Sequence, residues 1–120
     1  MSEVSTSNPA IPQISVEELA QRRIESDRAL QLIDVREPQE IAIACLPGFE
    51  VLPLSEFAEW SGDILTRFDP QVETLVICHH GVRSAQMCYW LRTQGFSDVK
   101  NIVGGIDAYS ACIDSTIPQY

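Results

Sequence analysis

Residues 74–85 read Thr-Leu-Val-Ile-Cys-His-His-Gly-Val-Arg-Ser-Ala and carry two structural signals in succession. The apolar run 74–77 is typical of a buried β-strand, and it ends directly at Cys78. A short loop with one glycine follows, and residues 84–94 then have the amphipathic pattern of a helix. The segment therefore predicts a strand, a loop that begins with a cysteine, and a helix.

This layout favours a reactive thiol at Cys78. Backbone N–H groups and the positive end of the following helix can converge on its sulfur. Surroundings of this kind lower the pKa of a cysteine thiol, and the thiolate is the nucleophile. Gly81 lets the loop turn with positive φ and point N–H groups inward. Because Cys78 follows the apolar run rather than lying inside it, we expect a part-exposed, reactive thiol and not a buried structural one.

The rest of the chain alternates short apolar strands with helices. Such alternation predicts an α/β fold, with a central parallel sheet flanked by helices on both faces. Functional groups in these sheets gather beyond the carboxyl ends of the strands, where Asp34, Arg36 and Cys78 all fall. The other predicted strands are 9–14, 30–33, 51–52 and 99–103, and the other predicted helices are 15–26, 38–44, 104–111 and one capped by Ser55 that carries Phe57, Trp60, Ile64 and Leu65.

Length and charge narrow the possible functions. A chain of 120 residues with 45% hydrophobic residues is typical of one domain, and we expect a single domain at 10–120 after a short disordered arm at 1–9. A net charge of −9 argues against nucleic acid or an anionic membrane surface as the main partner. No apolar stretch is long enough to cross a bilayer.

The cysteines indicate a reducing compartment. Residues 1–9 lack the basic and apolar regions of a secretory signal. The four cysteines, at positions 45, 78, 88 and 112, show no close pairing pattern. We therefore expect reduced thiols and a cytoplasmic location.

Residues 78–84 resemble the active-site loop of the rhodanese-like sulfurtransferases, Cys-x-x-Gly-x-Arg-Ser/Ala. Three further segments are similar to motifs of that family and follow in the family's order, so that the resemblance covers about 10–112. They are residues 32–40 (Leu-Ile-Asp-Val-Arg-Glu-Pro-Gln-Glu), residues 46–54 (Leu-Pro-Gly-Phe-Glu-Val-Leu-Pro-Leu) and residues 95–106, which end in Gly104-Gly105-Ile106.

The resemblance implies a rhodanese-like fold and a sulfurtransferase. Cys78 would take a sulfane sulfur from a small donor such as thiosulfate, hold it as a persulfide, and pass it to a thiol, to cyanide or to a sulfur-relay protein. No metal or organic cofactor is implied. Two positions depart from the family pattern: Cys45 stands where a histidine is frequent, and Tyr109 stands where a tryptophan is frequent. We interpret both as packing or capping changes.

The residue types around Cys78 suggest further roles. His79 and His80 are expected to line the loop mouth, since adjacent side chains in one loop rarely converge on one metal ion. Arg83 has two compatible roles, binding an oxyanion or bracing the loop against a carboxylate. The substrate-binding loop would comprise His79, His80, Gly81, Val82, Arg83 and Ser84.

Three charged residues are interpreted as support for the loop. Asp34, Arg36 and Glu40 form a predicted bracing ion-pair cluster, with Arg36 near the site entrance. Since an anionic donor must approach an acidic chain, Arg36, Arg83, His79 and His80 are expected to make the site locally basic.

The remaining cysteines are assigned separately. Cys88 lies in the predicted helix beside Met87 and is interpreted as a core residue. The sequence does not assign Cys45 or Cys112, although Cys45 could act as a resolving thiol.

Two other functions stay open. Phosphatases and arsenate reductases also place a cysteine and an arginine at the two ends of a loop. Four residues separate Cys78 from Arg83, as in the rhodanese-like family, whereas the tyrosine-phosphatase loops have five. The second alternative is a persulfide carrier or partner-binding module with little turnover of small donors.

Overall fold

The computed structural model describes residues 10–25 and 29–120. The expected arm at 1–9 and the predicted end of the first helix at Ser26 lie outside these residues. The strands are β1 (Gln13–Ile14), β2 (Gln31–Asp34), β3 (Glu50–Val51), β4 (Thr74–Ile77) and β5 (Val99–Ile102). The α-helices are α1 (Val16–Ile24), α2 (Pro38–Ile43), α3 (Phe57–Trp60), α4 (Ile64–Arg67), α5 (Val82–Thr93) and α6 (Gly105–Cys112).

The strands form one parallel sheet in the order β1-β5-β4-β2-β3. The two faces of the sheet pack against different helices. Successive side chains of β4, which point to opposite faces, show this. Val76 packs in the cluster that contains residues of α3, α4 and α5, and Leu75 and Ile77 pack in the cluster that contains residues of α1 and α6. The predicted α/β fold, a parallel sheet covered by helices on both faces, is confirmed.

The strand order places the candidate site. After β2 the chain continues outward through α2 to β3, and after β4 it continues through α5 to β5 on the other side of the sheet. The two connections therefore diverge between β2 and β4, which leaves a crevice at their carboxyl ends. Asp34 pairs with Ile77 in the sheet register, so Arg36 and Cys78 follow neighbouring strands into this crevice.

Two predicted helix ends are confirmed in detail. Ser15 caps α1 through a capping box, in which its hydroxyl accepts from the Glu18 N–H at 3.0 Å and its own N–H donates to the Glu18 carboxylate at 3.2 Å. At the end of α5, the Phe96 N–H donates to the Leu91 carbonyl and the Gly95 N–H donates to the Arg92 carbonyl, both at 3.1 Å. This is the Schellman arrangement, with Gly95 at φ +100°.

Two helix predictions need correction. The single helix expected after Ser55 is divided into α3 and α4 by a 3-10 turn at Ser61–Asp63, and another 3-10 turn at Leu54–Glu56 precedes α3. Ser55 does not cap it, because its hydroxyl donates instead to the carboxylate of Glu37. Helix α5 begins at Val82 rather than Ser84, since Gly81 adopts φ +108° and serves as the residue that precedes the first turn.

No helix among residues 10–25 and 29–120 is both long enough and apolar enough to cross a membrane.

Candidate active site

Cys78 lies at the carboxyl end of β4, and its sulfur faces the first turn of α5. Sγ accepts a hydrogen bond from the Gly81 N–H at 3.0 Å and lies 3.2 Å from the Ser84 hydroxyl oxygen. A donor to a charged group contributes about 1.5–3 kcal/mol, so the Gly81 N–H favours an anionic sulfur. The expected part-exposed setting is wrong, because only 1% of Cys78 is exposed.

The backbone of the loop is fixed by the start of α6. The carbonyl oxygens of Cys78 and His79 accept from the N–H groups of Ile106 and Asp107, at 2.9 and 3.1 Å. Gly105 makes this approach possible, since a Cβ at that position would lie 2.3 Å from the Cys78 oxygen. The orphan N–H groups of a helix terminus therefore hold the two residues that begin the loop.

Arg83 braces the loop. It lies in the first turn of α5, and its two terminal nitrogens donate to the two carboxylate oxygens of Glu40 at 2.7 and 2.9 Å. The Arg83 hydrogen bonds lower the pKa of Glu40 to about 2, and the carboxylate in turn raises the pKa of Arg83. Of the two roles open to Arg83, the geometry supports bracing, because the fork that would hold an oxyanion already holds a carboxylate.

Arg36 is the most buried charge of the site. Its Nε and Nη2 donate to the Asp34 carboxylate at 3.0 and 2.7 Å, and its Nη1 donates to the Tyr120 hydroxyl at 2.9 Å. The expected position near the site entrance is wrong, since Arg36 is 0% exposed. Asp34 and Arg36 do form an ion pair, as predicted from the sequence.

Tyr120 joins this pair to the loop, and sequence reasoning missed it. Its hydroxyl donates to Glu40 Oε2 at 2.9 Å while accepting from Arg36. A continuous chain of contacts therefore runs from Asp34 through Arg36, Tyr120 and Glu40 to Arg83. No local pattern in the sequence marks Tyr120, because the contact spans 80 residues to Glu40.

The His79 ring is stacked between the rings of Tyr120 and His80. The His79 ring lies 3.8 Å from the Tyr120 ring and 3.9 Å from the His80 ring, measured between centroids. His80 Nε2 is 3.9 Å from the Asp107 carboxylate. Ring nitrogens direct their lone pairs in the plane of the ring, so stacked rings do not aim them at one point. The stacking disfavours joint metal binding by His79, His80 and Asp107, and the absence of a metal stays a prediction.

The remaining predicted loop residues differ in exposure. Val82 is 69% exposed at the start of α5, and Ser84 is buried against the sulfur of Cys78. Asn101 of β5 contacts both Ser84 and Gly81 and was not predicted as a site residue. The alternation of β5 predicts that Asn101 is buried, but nothing in the sequence indicates which loop it meets.

The other cysteines lie in three different settings. Cys88 is 0% exposed, which confirms its assignment to the core, and burial raises the pKa of its thiol to about 12. Cys112 is exposed at the end of α6. Cys45 is exposed and lines a cavity of about 670 Å³ together with Arg23 and Tyr109. Tyr109 is buried, and its hydroxyl accepts from Arg23 at 3.3 Å.

The Glu40–Arg83 pair predicts a pH dependence of stability. The pKa of Glu40 falls from its usual 4.5 to about 2 on folding, so its ionised form stabilises the folded protein above about pH 4.5 and this contribution is lost as the pH falls towards 2. We expect Glu40→Gln to lower the free energy of unfolding by about 1–2 kcal/mol at pH 7, after allowance for the partial exposure of Arg83.

Urea unfolding at several pH values measures this effect. The difference between the parent protein and Glu40→Gln should shrink as the pH is lowered from 5 to 2.5. Glu59→Gln, on the exposed surface of α3, is the matched control and should follow the parent protein at every pH. A Glu40→Gln difference that does not change with pH would show that the carboxylate is not held ionised by Arg83.

Comparison with known proteins agrees with this geometry. Residues 15–112 match the family model of the rhodanese-like domain. The match covers the loop, β4 before it, α5 after it, and the ion-pair residues Asp34, Arg36 and Glu40. The chain belongs to the rhodanese-like domain family. The match to the family model ends eight residues before Tyr120, so the residue that links Arg36 to Glu40 lies outside the matched part of the chain.

Individual relatives extend the comparison. The chain is 48% identical over 121 residues to rhodanese-like/PpiC domain-containing protein 12, chloroplastic, of Arabidopsis thaliana, a match that covers 98% of this chain and 40% of that protein. It therefore spans less than half of that relative. It is 33% identical to thiosulfate sulfurtransferase GlpE of Pseudomonas putida, with 82% of this chain and 93% of GlpE covered.

Solved structures show the same fold. The crystal structure of a rhodanese-like domain protein from Staphylococcus aureus superposes with a TM-score of 0.73 at 27% identity, covering 92% of this chain and 99% of that one. The family and the fold that the sequence resemblance implied are both confirmed.

Proposed function

We propose that this rhodanese-like domain transfers a sulfane sulfur from a donor such as thiosulfate to a thiophilic acceptor through a persulfide on Cys78. The observation that supports this most directly is the position of the sulfur, which accepts from the Gly81 N–H at 3.0 Å at the end of a central strand. Similarity to thiosulfate sulfurtransferase GlpE gives independent support.

The reaction proceeds in two displacements. The Cys78 thiolate attacks the outer sulfur of thiosulfate, a bond forms between Sγ and that sulfur, and the sulfur–sulfur bond of the donor breaks. Sulfite leaves with the bonding electron pair. An acceptor such as cyanide or a thiolate then attacks the outer sulfur of the persulfide, and the electron pair returns to Sγ. Covalent catalysis of this kind divides one transfer into two easier steps.

The loop assists both displacements by favouring negative charge on sulfur. The Gly81 N–H is held towards Sγ before the reaction, so little reorganisation is needed when charge develops there. The N–H groups of Ile106 and Asp107 donate to the carbonyl oxygens of Cys78 and His79, which fixes the start of the loop. Arg83 supports the displacements indirectly, because its two hydrogen bonds to the Glu40 carboxylate brace the loop.

The ion pairs of the two site arginines support a second candidate function, a persulfide carrier that is loaded by a protein donor. Arg36 is paired with Asp34 and Arg83 with Glu40, so the two guanidinium groups expected to attract an anionic donor are each matched by a carboxylate. The expectation of a locally basic site is therefore not met by these two arginines. A domain with a net charge of −9 would accept small anions slowly and depend more on a sulfur-relay protein.

Phosphatase or arsenate reductase activity is less well supported. A phosphate ester needs a free arginine fork at the end of the loop, and the fork of Arg83 is occupied by Glu40. A cytoplasmic location and the lack of nucleic-acid or membrane partners stay predictions from the sequence.

Initial-rate kinetics test the proposal. With thiosulfate and cyanide as substrates, we expect double-reciprocal plots that are parallel, because sulfite leaves before the acceptor binds. Intersecting lines would contradict a persulfide intermediate. Slow thiosulfate turnover with fast loading from a protein persulfide would favour the carrier, and hydrolysis of an aryl phosphate that is lost in Cys78→Ser would favour the phosphatase.

A further inference from the structure

We propose that Asn101 is a positioning residue for Cys78, which holds Gly81 against the sulfur and sets the direction of the Ser84 hydroxyl hydrogen. This inference rests on the proposed role of Cys78 as the sulfur-carrying residue. It concerns a side chain of β5, outside the loop that carries the family's cysteine motif.

Four hydrogen bonds form a closed ring around the sulfur. The Asn101 Nδ2 donates to the Gly81 carbonyl at 3.0 Å, and the Gly81 N–H donates to Cys78 Sγ at 3.0 Å. On the other side, the Ser84 hydroxyl donates to Asn101 Oδ1, and Ser84 Oγ lies 3.2 Å from Sγ. Asn101 is 4% exposed, so water does not compete freely for its amide.

The chemistry of the partners fixes the direction of these bonds. A backbone carbonyl only accepts, so the amide nitrogen of Asn101 must face Gly81 and its oxygen must face Ser84. The Ser84 hydroxyl has one hydrogen, and this hydrogen is directed at Asn101 Oδ1. Ser84 therefore presents a lone pair to the sulfur, and a neutral Cys78 donates its S–H to Ser84.

Ionisation of Cys78 must change this ring. A thiolate has no hydrogen to donate and would face the Ser84 lone pair. The Ser84 hydrogen has to turn from Asn101 to Sγ, which leaves the buried Oδ1 without that donor. Asn101 thus opposes the thiolate through Ser84, while through Gly81 it holds the N–H that favours the thiolate. The two effects reach the sulfur by separate routes.

Separate routes can be distinguished by a double-mutant cycle. Asn101→Leu removes both amide bonds in a side chain of similar volume, and Ser84→Ala removes the hydroxyl. When Ser84 is present, Asn101→Leu frees the Ser84 hydroxyl hydrogen to donate to Sγ. In the Ser84→Ala background, Asn101→Leu removes only the contact with Gly81. The effect of Asn101→Leu on the thiolate fraction should therefore depend on Ser84.

The experiment measures the iodoacetamide alkylation rate of Cys78 against pH, with the site of alkylation confirmed by peptide mass. At pH values below the midpoint of the profile, we compare the factor by which Asn101→Leu changes the rate in two backgrounds. This factor should be at least about threefold larger when Ser84 is present than in Ser84→Ala. Equal changes in the two backgrounds would overturn the proposal. The matched control is Gln31→Leu, whose amide makes comparable contacts to Asp69 and Thr74 at the opposite end of the sheet and which should leave the profile unchanged.

A second measurement uses the parent protein and does not depend on the folding of an Asn101 variant. The infrared S–H stretch of reduced Cys78, assigned by its loss in Cys78→Ser, should lie at the lower frequency of a hydrogen-bonded donor. It should move to the frequency of a free thiol in Ser84→Ala. A free S–H band in the parent protein would contradict the ring. Neither readout requires sulfur transfer, so failure here and failure of the proposed function are distinguishable.

Discussion

Replacing Cys78 with serine should abolish sulfur transfer, with a loss of at least about 10³-fold in kcat/KM for thiosulfate. A serine hydroxyl does not ionise near neutral pH, and its oxygen is a poor acceptor of a sulfane sulfur. Serine is close to cysteine in shape and can accept the same Gly81 N–H, so the fold should be retained. The formation of thiocyanate from thiosulfate and cyanide measures the effect.

Cys112→Ser is the control for this substitution. Cys112 is also a free thiol, but it is exposed at the end of α6. Its replacement should leave the rate within about twofold of the parent protein, since surface changes away from a site are usually close to neutral. Substantial turnover by Cys78→Ser would show that the sulfur is transferred elsewhere.

Gly105→Ala should be the most destabilising of the conservative glycine substitutions, with a loss of about 3–5 kcal/mol in the free energy of unfolding. Two penalties coincide there. Gly105 has φ +61°, a conformation that alanine adopts at a cost, and its Cβ would lie 2.3 and 2.4 Å from the carbonyl oxygens of Cys78 and His79. Those oxygens belong to the backbone that carries the sulfur, so relief of the clash must displace the loop.

Urea unfolding of Gly105→Ala and Gly62→Ala provides the comparison. No heavy atom lies within 4 Å of the position that a Cβ of residue 62 would occupy, and Gly62 lacks a positive φ, so its substitution should be neutral or slightly stabilising. The two variants should differ in midpoint and share the denaturant slope of the parent protein. Equal stability of the two variants would mean that the close approach of α6 to the loop is not required.

Local signals made much of the fold predictable. The strand β4 and the loop after it were predictable from the apolar run followed by Cys78 and Gly81. Both elements are determined by residues that are close together in the sequence. Pro38 begins α2 at the predicted position, and Gly95 closes α5 as predicted. Alternation of such elements suffices for a parallel sheet with helices on both faces, and β4 in its centre carries the candidate nucleophile.

Long-range contacts account for what was missed. The sequence predicts Arg36 near the site entrance, but Asp34 and the distant Tyr120 together allow its complete burial. The Ser55 helix was predicted as continuous from its apolar spacing. The 3-10 turn at Ser61–Asp63 interrupts it directly after Trp60, whose indole donates to the Pro53 carbonyl at 2.8 Å. Neither contact leaves a periodic signal in the sequence.

The mass of the intact protein after incubation with thiosulfate tests the central claim most directly. We expect the parent protein to gain the mass of one sulfur atom, to lose it on addition of cyanide, and to retain this behaviour in Cys45→Ser and Cys112→Ser. Cys78→Ser should gain nothing. Thiocyanate production by a parent protein that never carries the added sulfur, or a gain of sulfur by Cys78→Ser, would contradict a persulfide on Cys78.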